Sequence, residues 1–532
     1  MMSKQHGGVY MTKVCFHHAT FYTMKNIQDT VEAVLVENGK IIAVGIFEDL
    51  KKLADQCIDL QGAFVYPGFV DSHIHLIGHG DKLRQIDLST YTSAEKMTVD
   101  LQTLLNEHPT GEWFVAEGWN ENNFSDQKIL SRYELDKLSA GPLALKRVCR
   151  HAMIVNSAAL KIAGITKETP DPEDGVIVRD DQGEPTGYLL DGAKAIIEKY
   201  IPEVSINQLV ISLDTAVNDL VSRGFTGVHT EDMSYYGEYS KPLQAFKEVI
   251  GKNRKFRVNL LRHHTVFDDM KAEATYDEPW IEPGAMKIFI DGALGGRTAL
   301  LSEPYADDPT TRGVSIHSQE DLNALVAKAR SYGEAVAVHA IGDLGMEMII
   351  SAIEKHPVPV GKRDRLIHAN VLREELVTRI EKLDVVLDIQ PSFVTSDFPW
   401  VKERLGNARL GWAYAWKKLT NRGILLSGGS DSPIEEVDPR IGLYAAVARR
   451  KPSETHGGYQ SEEKLTRFEA IALYTIGSAQ AICKEHERGY IDVDFDADLT
   501  VFDRDLFDGP EEQLLEAQVV KTIIAGDIVF EK

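Results

Sequence analysis

Apolar residues fall into two rhythms along the chain. Near both ends they alternate with polar ones, as a half-buried strand requires, because successive side chains point to opposite faces. Residues 12–16 read as one strand, and 33–45 as two strands around Asn38-Gly39, the strongest short hairpin signal. Residues 498–502 and 519–530 read the same way, with a turn at Gly526-Asp527. Paired across the chain, the two ends predict a small composite β-sandwich domain, residues 1–67 with 485–532. Between them, short apolar runs alternate with helical stretches such as 318–331 and 344–355. Eight runs read as strands: 69–75, 226–230, 257–264, 285–291, 335–339, 365–369, 385–389 and 424–427. Strands alternating with helices predict parallel α/β structure, and eight such units favour a closed (β/α)8 TIM-like barrel over an open sheet. The barrel takes residues 68–100 and 202–484. Residues 101–201 are too many for one connecting helix. With the alternating run at 113–120 and Pro-, Asp- and Gly-rich loops over 169–187, they predict an insertion subdomain near the barrel mouth.

Composition narrows the partners. The chain has 532 residues, 43% hydrophobic and 26% charged, enough to bury a large core. A net charge of -23 argues against nucleic acid and anionic membranes as partners and leaves a small-molecule substrate as the expectation. Cys15, Cys57, Cys149 and Cys483 are scattered without C-x-x-C pairing and read as idle thiols in a reducing compartment. No run of about 18 apolar residues predicts a membrane span. The first eight residues lack the apolar core of a signal peptide, so the expected location is cytoplasmic. A homodimer is the default for a soluble enzyme.

Chemistry enters at the strand ends. The first barrel strand closes on Ser72-His73-Ile74-His75, and alternation sends both imidazoles the same way. Barrel enzymes work at the C-terminal ends of their strands. Read in order, those ends add Lys287 on strand four, His339 on strand five, His368 on strand six and Asp431 after strand eight. Singly, each is an ordinary polar residue at a strand end; six on five strands of one barrel form a pattern. Imidazoles and a carboxylate suit zinc, and also manganese, iron or cobalt. Lys287 is the odd member, since an ammonium cannot bind a cation. Buried beside metals its pKa is expected to fall, leaving a free amine that can add carbon dioxide or stay a neutral or salt-bridged lysine beside a single metal.

The set His-x-His, Lys, His, His, Asp resembles the amidohydrolase superfamily. Longer phrases, among them Pro67-Gly-Phe-Val-Asp-Ser-His-Ile-His, Asp291-Gly-Ala-Leu-Gly-Gly-Arg-Thr-Ala, His339-Ala-Ile-Gly-Asp and Gly429-Ser-Asp-Ser-Pro, are similar to its amidohydrolase-3 branch. That branch includes YtcJ-like proteins and N-substituted formamide deformylase. The insert phrases Gly118-Trp-Asn and His151-Ala-Met-Ile-Val-Asn-Ser also fit it. The resemblance spans almost the whole chain and implies a divalent metal, one or two ions, with a carboxylated lysine at Lys287 bridging a pair. It implies hydrolysis of an amide or formamide-like C–N bond by metal-activated water, with Asp431 first as general base and then as general acid. Deamination or opening of a cyclic amide on the same site is the alternative, and a non-catalytic barrel scaffold the rival of another class. Candidate substrate contacts are Asp291, Arg297, Arg262, His264, Trp119 and His151. The aromatic residues Phe393, Phe398, Trp400, Trp412, Tyr414 and Trp416, after strand seven, are expected to line an apolar pocket.

Overall fold

The computed structural model describes residues 12–84, 87–107, 111–147, 151–272, 279–398 and 400–532. Cys149 and the first eight residues lie outside these. Cys15, Cys57 and Cys483 carry free thiols. Among the described residues no helix is long and apolar enough to cross a membrane.

Eight parallel strands hydrogen-bond side by side in chain order. They are β1 (Phe69–Ile74), β2 (Phe225–Thr230), β3 (Arg257–His263), β4 (Ile281–Phe289), β5 (Val336–Ala340), β6 (Asp364–His368), β7 (Val385–Ile389) and β8 (Leu425–Gly428). β8 leads back to β1, where the Asp431 amide donates to the His73 carbonyl at 2.7 Å and the His75 amide to the Ser432 carbonyl at 2.8 Å. The strands lie where the apolar runs put them, except that β4 starts at Ile281 rather than at residue 285. Pro283-Gly284 breaks the apolar pattern there and reads as a turn. In the fold the pair sits in the strand, and the β3–β4 register shifts opposite it, between Leu260 and Arg262.

Outward-facing Val228, Leu260, Ile288, Val338, Leu366 and Leu387 join the main core beneath the outer helices. Those helices begin at clear local signals. Ser205 and Gln208 form a capping box for Ile206–Ser222, and Ser318 caps Gln319–Ser331. Leu261, Ala337 and Ile367 form a separate small apolar cluster.

Both chain ends build one seven-stranded mixed sheet, ordered Asp527–Glu531, Val519–Ile524, Leu499–Phe502, Gln56–Pro67, Val14–Tyr22, Thr30–Glu37, Lys40–Gly45. Its hairpin turns at Asn38-Gly39 with positive φ at both residues, 56° and 75°, the twist that suits paired strands. The sheet adjoins the barrel directly, for the Phe69 amide donates to Thr500 Oγ1 at 3.0 Å.

A second compact unit spans Asp81–Val204. Its five-stranded sheet runs Phe114–Trp119, Leu143–Arg147, Ala152–Val155, Pro185–Asp191, Gly175–Arg179. It begins before residue 101 because helix Ala94–Glu107 buries Ala94, Met97 and Leu101 in the same core as Phe114, Trp119 and Leu145.

Candidate metal centre

The ends of β1, β4, β5, β6 and the turn after β8 converge. His73 and His75 each hold Nε2 3.4 Å from Asp431 Oδ1. Donor atoms of these three residues all lie within 4.8 Å of one another. Lys287 Nζ is 3.3 Å from His73 Nε2. On the other side, His368 Nε2 is 3.0 Å from His339 Nδ1. The structure thus places His73, His75, Lys287, His339, His368 and Asp431 together, as two groups with Lys287 beside His73.

In three of the four rings the second nitrogen decides what the inner one is; His73 Nδ1 is buried without a partner among the described residues. His75 Nδ1 donates to the Glu231 carbonyl at 2.7 Å, and His368 Nδ1 to Gln390 Oε1 at 2.7 Å. His339 Nε2 faces the Gly292 carbonyl at 3.3 Å and Asp291 Oδ1 at 3.4 Å. All these partners are acceptors, so the outer nitrogens carry the hydrogens and the inner ones are bare lone pairs. Lone pairs and a carboxylate converging in a buried site are the donor set of a divalent metal, with outer oxygens fixing each tautomer. The residues fit such an ion.

Electrostatics favour the neutral ring at His368 and His73 and the protonated one at His75. Burial, then the neighbouring His339, drives His368 down to about 3, and burial also drives His73 well below its ordinary value. Burial lowers Lys287, against the pull of Glu231 and Asp431. Burial opposes charge on His75, yet the Asp431 carboxylate raises it. Asp431 itself is lowered despite burial, by His75 and His368.

Local backbone aims these groups. Asp431 has φ 56°, and His368 and Ala369 have φ 76° and 48°. For residues bearing a Cβ this left-handed geometry is strained, and such strain collects at functional sites. Asp71 joins β1 to the β8 turn: its carboxylate accepts the His73 amide at 3.0 Å and the Ser430 amide at 3.0 and 3.1 Å. Gly429 is required there, since a Cβ would stand 2.5 Å from the His73 nitrogen. Asp388 accepts Ser72 Oγ, Ser427 Oγ at 3.0 Å and the Arg365 guanidinium, a fully buried ion pair. Phe393 stacks on His368, centroids 5.9 Å apart, and Phe289 lies 5.2 Å from His339.

The expected substrate contacts are placed differently. Asp291 is spent on backbone, accepting the amides of Leu300, Ile341 and Gly342 at 2.8, 3.0 and 2.8 Å. Arg262 donates to the Gly284 carbonyl at 2.8 Å and pairs with Glu334 at 3.1 Å, a structural role in the barrel wall. Arg297 pairs with Asp307 at 2.9 Å. His264 lies against His263 and His317, centroids 4.5 and 5.2 Å apart. Trp119 is fully buried in the core of the second unit, its indole N–H on the Leu145 carbonyl at 2.9 Å. His151 is exposed, with Nδ1 3.1 Å from Asp191. The aromatic loop is divided too. Phe398, Tyr414 and Trp416 are buried in the main core, Trp400 and Trp412 pack on its edge, and Phe393 is the member that reaches a site histidine.

Sequence reasoning passed over Glu231, Gln390 and Asp388. Glu231 and Gln390 directly follow β2 and β7, so the strand-end rule that selected the histidines would have found them.

The profile described as Amidohydrolase family matches residues 56–530. The chain is 49% identical over 527 residues to the putative amidohydrolase YtcJ of Bacillus subtilis (strain 168), covering 98% of this chain and 100% of that protein. It is 28% identical over 542 residues to the N-substituted formamide deformylase of Arthrobacter pascens, covering 97% and 98%. The crystal structure of an uncharacterized metal-dependent hydrolase from Pyrococcus furiosus superposes with a TM-score of 0.78 at 28% identity, covering 93% of this chain and 100% of that one.

Proposed function

The chain belongs to the amidohydrolase family, and on that premise we propose that it hydrolyses an amide or formamide-like C–N bond in a small molecule. The observation that carries the reading is the convergence of bare imidazole nitrogens on Lys287 and on Asp431, which lies 3.4 Å from two of them. A divalent metal bound there, zinc by the preference of nitrogen and oxygen donors, supplies Lewis acidity to a carbonyl oxygen and acidifies water. Asp431 accepts the proton that water loses as its oxygen adds to the carbonyl carbon. Asp431 then delivers that proton to the nitrogen as the C–N bond breaks, giving a carboxylic acid and an amine. His75 and His368 hold their tautomers through Glu231 and Gln390 and keep Asp431 ionised for the first step. Lys287, lowered by burial, adds carbon dioxide as a neutral amine, loses one proton and becomes an oxygen donor to the centre. N-substituted formamides are the substrates to try first, since a full-length relative carries that activity in its name.

The test is Asp431→Asn assayed by amine release from N-substituted formamides. Turnover is expected to fall by about 10²–10⁴, the usual contribution of a positioned acid–base group, with bound metal largely retained. Turnover close to that of the unaltered enzyme would refute the role given to Asp431.

A further inference from the structure

Two adjacent carboxylates end β2, and they differ in one respect. Asp232 is fully employed: it accepts the amides of Leu76 and Ile77 at 3.1 Å each and Thr230 Oγ1 at 2.6 Å, which tie the start of helix Leu76–Arg84 to β2. Glu231 is as buried, with no exposed surface, yet neither of its carboxylate oxygens has a hydrogen-bond partner among the described residues. A buried carboxylate without a donor is costly, and native structures retain one where something else satisfies it.

The surroundings leave few candidates. The Glu231 main chain is pinned, its amide on the Ile74 carbonyl at 3.1 Å and its carbonyl on His75 Nδ1 at 2.7 Å. Besides burial, its carboxylate feels Lys287, His75 and, repulsively, Asp232, and the Met233 amide lies nearby without reaching hydrogen-bond geometry. His75 has no nitrogen to give, because Nδ1 serves the Glu231 carbonyl and Nε2 faces Asp431. Lys287 points its Nζ at His73, 3.3 Å away, and forms no ion pair with Glu231 among the described residues. Solvent and substrate do not reach a carboxylate with no exposed surface. A cation held in the centre is the remaining partner of opposite charge, since the Glu231 carbonyl already takes the ring of the site residue His75 at 2.7 Å.

We propose that Glu231 is a further ligand of the metal centre, an oxygen donor on the β2 side that complements Asp431 on the β8 side. This rests on the reading of the six strand-end residues as a metal centre. Carboxylate oxygen is a normal partner for imidazole around zinc, manganese or iron. It gives the centre a donor built into the chain, independent of whether Lys287 has taken up carbon dioxide.

The experiment measures metal on purified protein by plasma emission and by titration of zinc against a competing chelator. The unaltered chain is compared with Glu231→Gln, which keeps size and loses charge. The expected result is a rise of about tenfold or more in the zinc Kd, the scale seen when groups that support a metal are removed. A Kd within threefold of the unaltered chain, with the same metal count, overturns the proposal. An unaltered chain that holds no metal overturns the metal-centre reading itself, so the two failures are distinct. If Glu231→Gln does not fold, anomalous diffraction from unaltered crystals grown with zinc decides. A Glu231 oxygen about 2.0–2.2 Å from an ion is expected. A carboxylate beyond bonding distance of every ion overturns the assignment.

Discussion

Asp291 separates what the sequence suggests from what the fold does with it. Its place just above Lys287 reads as a substrate contact, whereas the structure shows a buried anchor. One oxygen accepts the Leu300 and Gly342 amides at 2.8 Å each, and the other accepts the Ile341 amide at 3.0 Å and faces His339 Nε2 at 3.4 Å. Asp291→Asn keeps one acceptor oxygen. If that oxygen takes the Leu300 and Gly342 amides, the new NH2 confronts the Ile341 amide and the His339 ring N–H. One buried donor loses its partner, at about 1–3 kcal/mol, and the remaining bonds lose charge assistance of about 1 kcal/mol. The total is roughly 3 kcal/mol, enough to lower the melting temperature by several degrees. His339 also loses the carboxylate that orients its ring, so metal affinity is expected to fall about 10–100-fold. The assays are differential scanning fluorimetry and chelator competition, set beside KM for an N-substituted formamide. An unchanged melting temperature and metal affinity with a raised KM would refute this reasoning and restore Asp291 as a substrate contact.

Three further outcomes are expected. Burial pushes the Glu334 carboxyl up, but Lys362, Arg262 and Lys271 outweigh it and hold it near about 2, against an ordinary 4.5. Because the folded value is the lower one, that charge stabilises the fold by about 3 kcal/mol above pH 5, a contribution lost as pH falls toward 2. The melting-temperature gap between the unaltered chain and Glu334→Gln should therefore narrow from pH 7 to pH 3, and a constant gap contradicts the assignment. Asp388→Ala strands the buried Arg365 guanidinium and should cost about 3–5 kcal/mol in denaturant unfolding. Asp388→Leu combined with Arg365→Met should recover most of it, and a double variant as unstable as the single one speaks against a pairwise origin. Arg297→Ala removes a partly exposed ion pair with Asp307 and should leave the melting temperature nearly unchanged and KM within about twofold; a large KM effect would return Arg297 to the substrate site.

The barrel was legible because each of its strands is a compact apolar run between turn residues, and the parallel connections give every run a helix. Among the barrel strands the boundaries moved by more than one residue only in Ile281–Phe289, where Pro283 and Gly284 signal a turn and the fold uses them inside the strand; in the terminal sheet the strand expected over 12–16 runs on to Tyr22. The six strand-end residues were found by a positional rule that needs no contacts. The outer residues were harder. Asp291, Arg262 and Arg297 look alike in sequence whether they meet a ligand or the protein's own backbone and carboxylates, and pairing is settled by tertiary neighbours far away along the chain. Trp119 illustrates the same limit: its strand alternates, but which face is the core depends on helix Ala94–Glu107, whose packing the strand pattern does not encode. Glu231 was legible by position, since it directly follows the strand Phe225–Thr230.

The central claim is that converging imidazoles, Lys287 and Asp431 hold a metal on which C–N hydrolysis depends. Its most direct test is amine release from N-substituted formamides by protein stripped with chelator and then titrated with zinc or manganese. Activity should vanish on stripping and return in proportion to bound metal. Full turnover in metal-free protein would contradict the account.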